Sequence, residues 1–441
     1  MVSLKAYGTL TMSMKNFMNH KSEWEEQKTQ DCRIAVIGGG AAGMMAAGEA
    51  AALGCSVTLF EKNRETGKKL RITGKGRCNV TNDCTPEEFF RHIPTNPRFL
   101  YGAVHRFAPS DTMAFFEALG VPLKIERGGR VFPESDRAAD IVGALRRFIQ
   151  RGGCRTITEK VLGIRPSEKG WLVLTASSET VFDRIILCTG GLSYPVTGSD
   201  GDGYRFARSL GHTVTPLFPS LVPLETTGRC CRAMQGLSLK NVTLTVTDTE
   251  NGKCIFKDLG EMLFTHFGVS GPLVLRATSY MDAGAPDRYR LEIDLKPALD
   301  EKMLDARILS DFEKAKNKNL SNVLGGLLPL KMILPFIECA GISPYKKINA
   351  ITKKERGELL KLMKSFPLAV TAFRPIEEAI VTRGGVSVGE VDPRTMESRL
   401  HPGLFFAGEL LDVDGHTGGY NLQIAFSTAV AAAHGAAGSR R

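Results

Sequence analysis

The stretch from Arg33 to Lys62, RIAVIGGGAAGMMAAGEAAALGCSVTLFEK, restricts the fold more than any other part of the chain. Arg33–Ile37 reads as a short buried strand, and Gly38, Gly40 and Gly43 then give G-x-G-x-x-G spacing directly before an alanine-rich helical run. Val57–Phe60 reads as a second strand closed by Glu61, 18 residues after Gly43. Alanine-glycine helix starts also occur in parallel sheets that bind nothing, but here strand, glycines, helix, strand and acid come in order, which predicts a dinucleotide-binding βαβ unit. In such a unit the first glycine permits the tight turn, the second lets a pyrophosphate approach the backbone, and the third lets helix and sheet pack closely. The phosphates then meet the helix N-terminus. An acid at the second strand end suits a free ribose 2′-hydroxyl, as in FAD or NAD.

With 441 residues the chain exceeds one ordinary core, so two or three domains are expected. Its ten cysteines contain no C-x-x-C pair and no zinc-type spacing with histidine, which predicts reduced thiols, no metal site and a cytoplasmic location. No apolar run reaches the roughly 18 to 20 residues of a membrane span. Residues 1–32 lack a signal-peptide core and are expected to be a disordered extension, or the product of an upstream start with Met12, Met14 or Met18 as alternatives. The formal charge of +10 is distributed along the chain apart from one cluster, Lys62, Arg64, Lys68, Lys69, Arg71, Lys75 and Arg77, just after Glu61. Its expected partner is the cofactor pyrophosphate or an anionic substrate. Without interleaved aromatics it does not predict a nucleic-acid groove.

The pattern divides the chain into a first cofactor-binding part over 33–193, a β-rich substrate domain over 194–296, a helical subdomain over 297–368, and a return to the cofactor domain over 369–441. Val181–Cys188 reads as a strand ending in TGG, and Leu404–Phe406 as a late strand before Gly408 and Glu409. A second glycine-rich helix start follows at Gly418 and Gly419. Its N–H groups suit the flavin N1/O2 edge, where negative charge accumulates on reduction, and NAD alone needs no such site. The choice therefore falls on FAD.

Six motifs carry a resemblance: GGGAAG, GKKLRITGKGRCNVTN, TGGLSYPVTGSDGDGY, LFTHFGVSGP, TRGGV and FAGELLDVDGHTGGYNLQIA. They are similar to those of the FAD flavoprotein family containing bacterial 3-dehydro-bile acid Δ4,6-reductases and uncharacterised relatives, and they span Arg33 almost to the end. The resemblance implies an α/β fold: a Rossmann-like FAD-binding domain made from both chain ends, interrupted by a small β-barrel-like domain and a small helical domain. It also places Gly38, Ala42, Gly43, Glu61, Lys62, Lys69, Gly74, Arg77, Cys78, Asn79, Gly408, Glu409, Gly419, Asn421 and Leu422 around FAD, with Gly40 added by the fingerprint. Lys62, Lys69 and Arg77 are expected to offset phosphate charge, and Glu409 to hold ribityl hydroxyls. Cys78 is either a small packed side chain or a thiol of the cofactor loop.

The activity the resemblance implies is reduction of a carbon–carbon double bond conjugated to a ketone, in a 3-oxo-Δ4 or Δ4,6 bile-acid-like steroid, with NAD(P)H reducing FAD. Tyr420, His416, Tyr194 and His266 are candidate proton donors because they lie in glycine-rich loops, and Arg383 is a candidate contact to flavin or to a substrate carboxylate. No second fingerprint follows another strand, so NAD(P)H is expected to bind transiently at the open flavin face. Two alternatives stay open: an FAD amine oxidase or dehydrogenase, and a flavin-using RNA-modifying protein.

Overall fold

A computed structural model describes residues 32–227 and 229–438. The extension expected over 1–32 lies, apart from Cys32, outside the described residues.

Five parallel strands make the first sheet, in the order Leu404–Phe406, Arg184–Leu187, Arg33–Ile37, Ser56–Phe60, Arg155–Ile157. Ile34 pairs with Arg184 and Val57, and Ile185 pairs with Leu404, so the late strand extends the sheet begun by the first. Ile34, Ala35 and Val36 are all fully buried. Since successive side chains point to opposite faces, that run requires cover on both sides. Helices Ala41–Ala52, Ala138–Arg151 and Tyr420–Ala437 bury their apolar residues in the same core as these strands, and alanines at the contacts let the backbones approach.

The single strand expected over Val181–Cys188 is two. Glu179–Phe182 pairs antiparallel with Gly170–Leu174, while Arg184–Leu187 enters the parallel sheet. Asp183 makes the switch: its carboxylate accepts the Arg33 N–H at 2.6 Å and its own N–H donates to the Arg33 carbonyl at 2.9 Å.

A second, antiparallel sheet has seven strands in the order 366–368, 289–294, 238–248, 254–264, 268–270, 224–226, 370–373. Its two edge strands are joined through the single residue Ala369, so the sheet must curl until its edges meet. This is the barrel-like insertion. Helices Glu301–Glu313, Leu330–Cys339 and Lys353–Lys364 lie on it, and Asp300 and Thr352 cap two of them by accepting the N–H of Met303 and Glu355. Leu304, Ile308, Phe336 and Leu359 share one core with Leu244, Leu291 and Ile293 of the barrel. The helices therefore form a layer on the barrel. No helix among the described residues is long and apolar enough to cross a membrane.

Candidate active site

A cleft of about 1140 Å³ runs from the Gly38 turn to the start of the Tyr420–Ala437 helix, with Leu259, Gly260, Pro272, Leu275 and Arg276 of the insertion forming part of its wall. Local geometry dictates the glycines at its first end. A Cβ on Gly38, whose φ is +104°, would stand 2.5 Å from the Cys188 carbonyl oxygen, and one on Gly43 would stand 1.7 Å from that of Gly38. Gly40 differs: a Cβ there would meet nothing within 4 Å, because the position faces the open cleft. The first intrahelical bonds run from Met44 N–H to Gly40 and, at the far end, from Gln423 N–H to Gly419. The N–H groups of Ala41 to Gly43 and of Tyr420 to Leu422 therefore stand outside their helical ladders. Two helix N-termini thus serve one cleft, one for each end of a dinucleotide.

Glu61 is buried, and its carboxylate accepts the N–H of Gly39 at 2.7 Å and both the backbone and side-chain N–H of Asn63, at 2.8 and 2.7 Å. Asn79 Oδ1 and Thr189 Oγ1 are buried in cleft-lining residues and have no protein hydrogen-bond partner. Open space over Gly40, two helix starts and orphaned polar atoms fit a bound FAD. Gly74, Glu409, Gly419, Asn421 and Leu422 also line the cleft. The Asn421 side chain, however, bonds the backbone of Gly415 and His416, so what it leaves toward the cleft is its main-chain N–H.

The three cations expected to oppose the phosphates line the cleft, and each is paired there with a carboxylate. Lys62 pairs with Asp200 at 2.5 Å and Asp202 at 3.1 Å. Lys69 pairs with Glu409 at 2.7 Å, and Glu409 also accepts from Ser193 and the Thr382 N–H. Arg77 binds Glu126 and Asp136 and lies over the Phe132 ring, 4.1 Å from its centre. Lys68 and Lys75 of the same cluster also line the cleft, so a pyrophosphate would meet them together with backbone N–H groups and helix ends. Arg383 donates to the Met281 carbonyl at 2.9 Å, and neither it nor Gly408 or Gly43 lines the cleft.

Of the four proton-donor candidates the fold brings two together. Tyr194 and His266 are off the cleft wall, His266 exposed on the insertion, and both lose the assignment. His416 and Tyr420 line it, together with His92, which sequence reasoning missed. The Tyr280 hydroxyl meets His416 Nε2 at 2.9 Å, His416 Nδ1 meets His92 Nδ1 at 3.3 Å, and the Tyr420 ring stacks on His92 with centres 4.4 Å apart. Facing ring nitrogens can bond only if one carries the proton and the other does not. No local signal links His92 to His416 across 324 residues, or Tyr280 in the insertion to either.

Burial, reinforced by His92 and Arg276, lowers His416 from 6.5 to about 4, and burial lowers His92 as well. Burial raises the Tyr420 phenol, which keeps it protonated. An unfolded chain protonates His416 near 6.5 whereas the folded protein does so only near 4. The stability supplied by its neutral form is thus full above 6.5 and lost as pH falls toward 4. The unfolding free energy should drop across that window by up to about 3 kcal/mol. Denaturant melts of His416→Gln should show a flatter slope there, and a slope equal to wild type would contradict the assignment.

Cys78 lies in the core, off the cleft wall, and burial pushes its thiol up to about 12. A thiol so placed is a packing group, not a cofactor contact. Alkylation of the folded protein at neutral pH should label exposed Cys254 and spare Cys78 in peptide maps.

A family model described as HI0933-like protein Rossmann domain matches residues 32–435. The chain belongs to this family. It is an oxidoreductase built on an FAD-binding Rossmann domain, in agreement with the motif resemblance. Among relatives, the 3-dehydro-bile acid delta(4,6)-reductase of Clostridium scindens is 32% identical over 92% of this chain and 99% of its own length. Ribosomal RNA dihydrouridine synthases are equally similar to this HI0933-like chain. That of Haemophilus influenzae is 33% identical over 90% of this chain and 96% of its own, and that of Escherichia coli K12 is 31% identical over the same shares.

Proposed function

We propose that this chain saturates a carbon–carbon double bond conjugated to a carbonyl. The observation carrying the reading is the hydrogen-bonded Tyr280, His416 and His92 series, which ends at the cleft beside the second helix start. FAD, when bound, supplies hydride to the β-carbon of such a bond, and NAD(P)H is its proposed transient reductant. The chain must deliver a proton to the α-carbon. A neutral imidazole does this by releasing a proton from one ring nitrogen while accepting another at the second, so His416 needs no imidazolium state. Tyr280, 37% exposed, supplies the solvent end of the series, and His92 supplies the cleft end.

The names of the relatives support the same chemistry, since a 3-oxo-Δ4 steroid and the C5=C6 bond of uracil are both conjugated to a carbonyl. The first substrate reading is an anionic, bile-acid-like steroid, favoured by apolar Leu259, Pro272 and Leu275 and by Arg276 on the cleft wall. The second is a uracil base in RNA, favoured by the basic balance and by two of the relatives. Holoenzyme with NAD(P)H should add two hydrogens to one of these substrates, read by mass spectrometry. Failure on both, with oxidation of a small amine instead, would overturn the proposal.

A further inference from the structure

The positive charge that looks scattered in sequence is gathered by the fold. Segments 314–319 and 344–350 lie side by side on the helical layer. Ile348 N–H donates to the Lys318 carbonyl at 3.1 Å, Asn349 N–H to that of Lys316 at 3.1 Å, and Leu320 N–H to that of Lys346 at 2.9 Å. Asn319 and Lys347 complete the pairing. Lys314, Lys316, Lys318, Lys346 and Lys347 are thereby brought to one edge, and the following helix adds Lys353 and Lys354 in its first turn. Residues 313–319 and 344–355 hold these seven lysines and two acids, Glu313 and Glu355, a balance of +5 against +10 for the whole chain. The acids are engaged with Lys316 at 2.7 Å and Lys346 at 2.6 Å.

Tyr345 stands within this edge and is 77% exposed. An aromatic ring held in water beside a row of cations is the pairing a single-stranded nucleic acid uses: phosphates meet the lysines and an unpaired base stacks on the ring. Tyr345 is also the one exposed large apolar residue in these segments, so the edge lacks the continuous apolar stripe with which a helix enters a membrane surface.

We propose that this lysine and tyrosine edge docks single-stranded RNA. The inference extends the uracil reading of the substrate, and binding is measured apart from turnover so that either can fail alone.

The test is anisotropy of a labelled, uridine-rich single-stranded oligoribonucleotide titrated with holoprotein over a range of salt. Wild type should bind with a steep salt dependence. Lys316→Gln, Lys318→Gln and Lys347→Gln combined should reduce the slope of log affinity against log salt by about 2. Tyr345→Ala should weaken binding roughly 5- to 150-fold at fixed salt. Both variants should keep wild-type flavin content and wild-type reduction of a free enone, which shows that they fold. No binding by wild type at low salt, variants with wild-type slope and affinity, or capture by anionic phospholipid vesicles that RNA cannot displace would each overturn the proposal.

Discussion

Gly40→Val should purify colourless. The position faces an open cleft with no atom within 4 Å of a would-be Cβ, so the side chain starts in open space and the fold should survive. It would instead occupy the space where a pyrophosphate approaches the N–H groups of Ala41 to Gly43. Lys62, Lys69 and Arg77 are already bound to carboxylates, and a cation elsewhere on the wall cannot remove a steric block. Flavin absorbance per protein should fall to background while circular dichroism and the thermal melt stay close to those of wild-type apoprotein. Gly43→Ala makes the contrast, because a methyl 1.7 Å from the Gly38 carbonyl oxygen disrupts the turn itself and should cost folded protein as well as flavin. A yellow Gly40→Val protein would refute the placement of the cofactor.

The second large effect is on proton delivery. His416→Gln keeps a donor and an acceptor but has no second ring nitrogen through which to pass a proton between Tyr280 and His92. Substrate-driven reoxidation of the reduced enzyme should slow by roughly 10²- to 10⁴-fold. Flavin content and the rate of reduction by NAD(P)H should be unchanged. Tyr280→Phe, which removes only the solvent end, should slow the same step less and lower its solvent isotope effect. Because burial holds His416 near 4, it stays neutral from mildly acid to neutral pH, and the rate of this step should show no His416 inflection near 6.5. Equal slowing of both half-reactions would indicate a structural role.

What could be read before folding is what repeats locally. The Gly38 turn, the alanine-rich helix and the Glu61 strand end are each dictated by residues within a few positions, and the second helix start at Gly419 is equally local. Charge was not legible in that way. Lys62, Lys69 and Arg77 stand next to the cofactor loop in sequence, yet their carboxylate partners come from Asp200, Glu409, Glu126 and Asp136, which only the closed fold brings near. The same blindness to distance hid His92 and Tyr280 and made Tyr194 and His266 look central. It also hid the lysine edge, since Lys314 to Lys318 and Lys346 to Lys347 become neighbours only through backbone pairing of two loops. Asp183 is an intermediate case: one residue with two bonds to Arg33 turns an apparently continuous strand into members of two sheets.

The central claim is that reduced enzyme hands its electrons to a carbonyl-conjugated double bond. Anaerobic mixing of photoreduced holoprotein with a panel of 3-oxo-Δ4 and Δ4,6 steroids, simple enones and uridine-containing RNA measures this directly. At least one member should restore the oxidised flavin spectrum within a single turnover and leave a saturated product in equal amount. If the flavin stays reduced against the whole panel, yet the oxidised enzyme is bleached by an amine alone, the account is wrong.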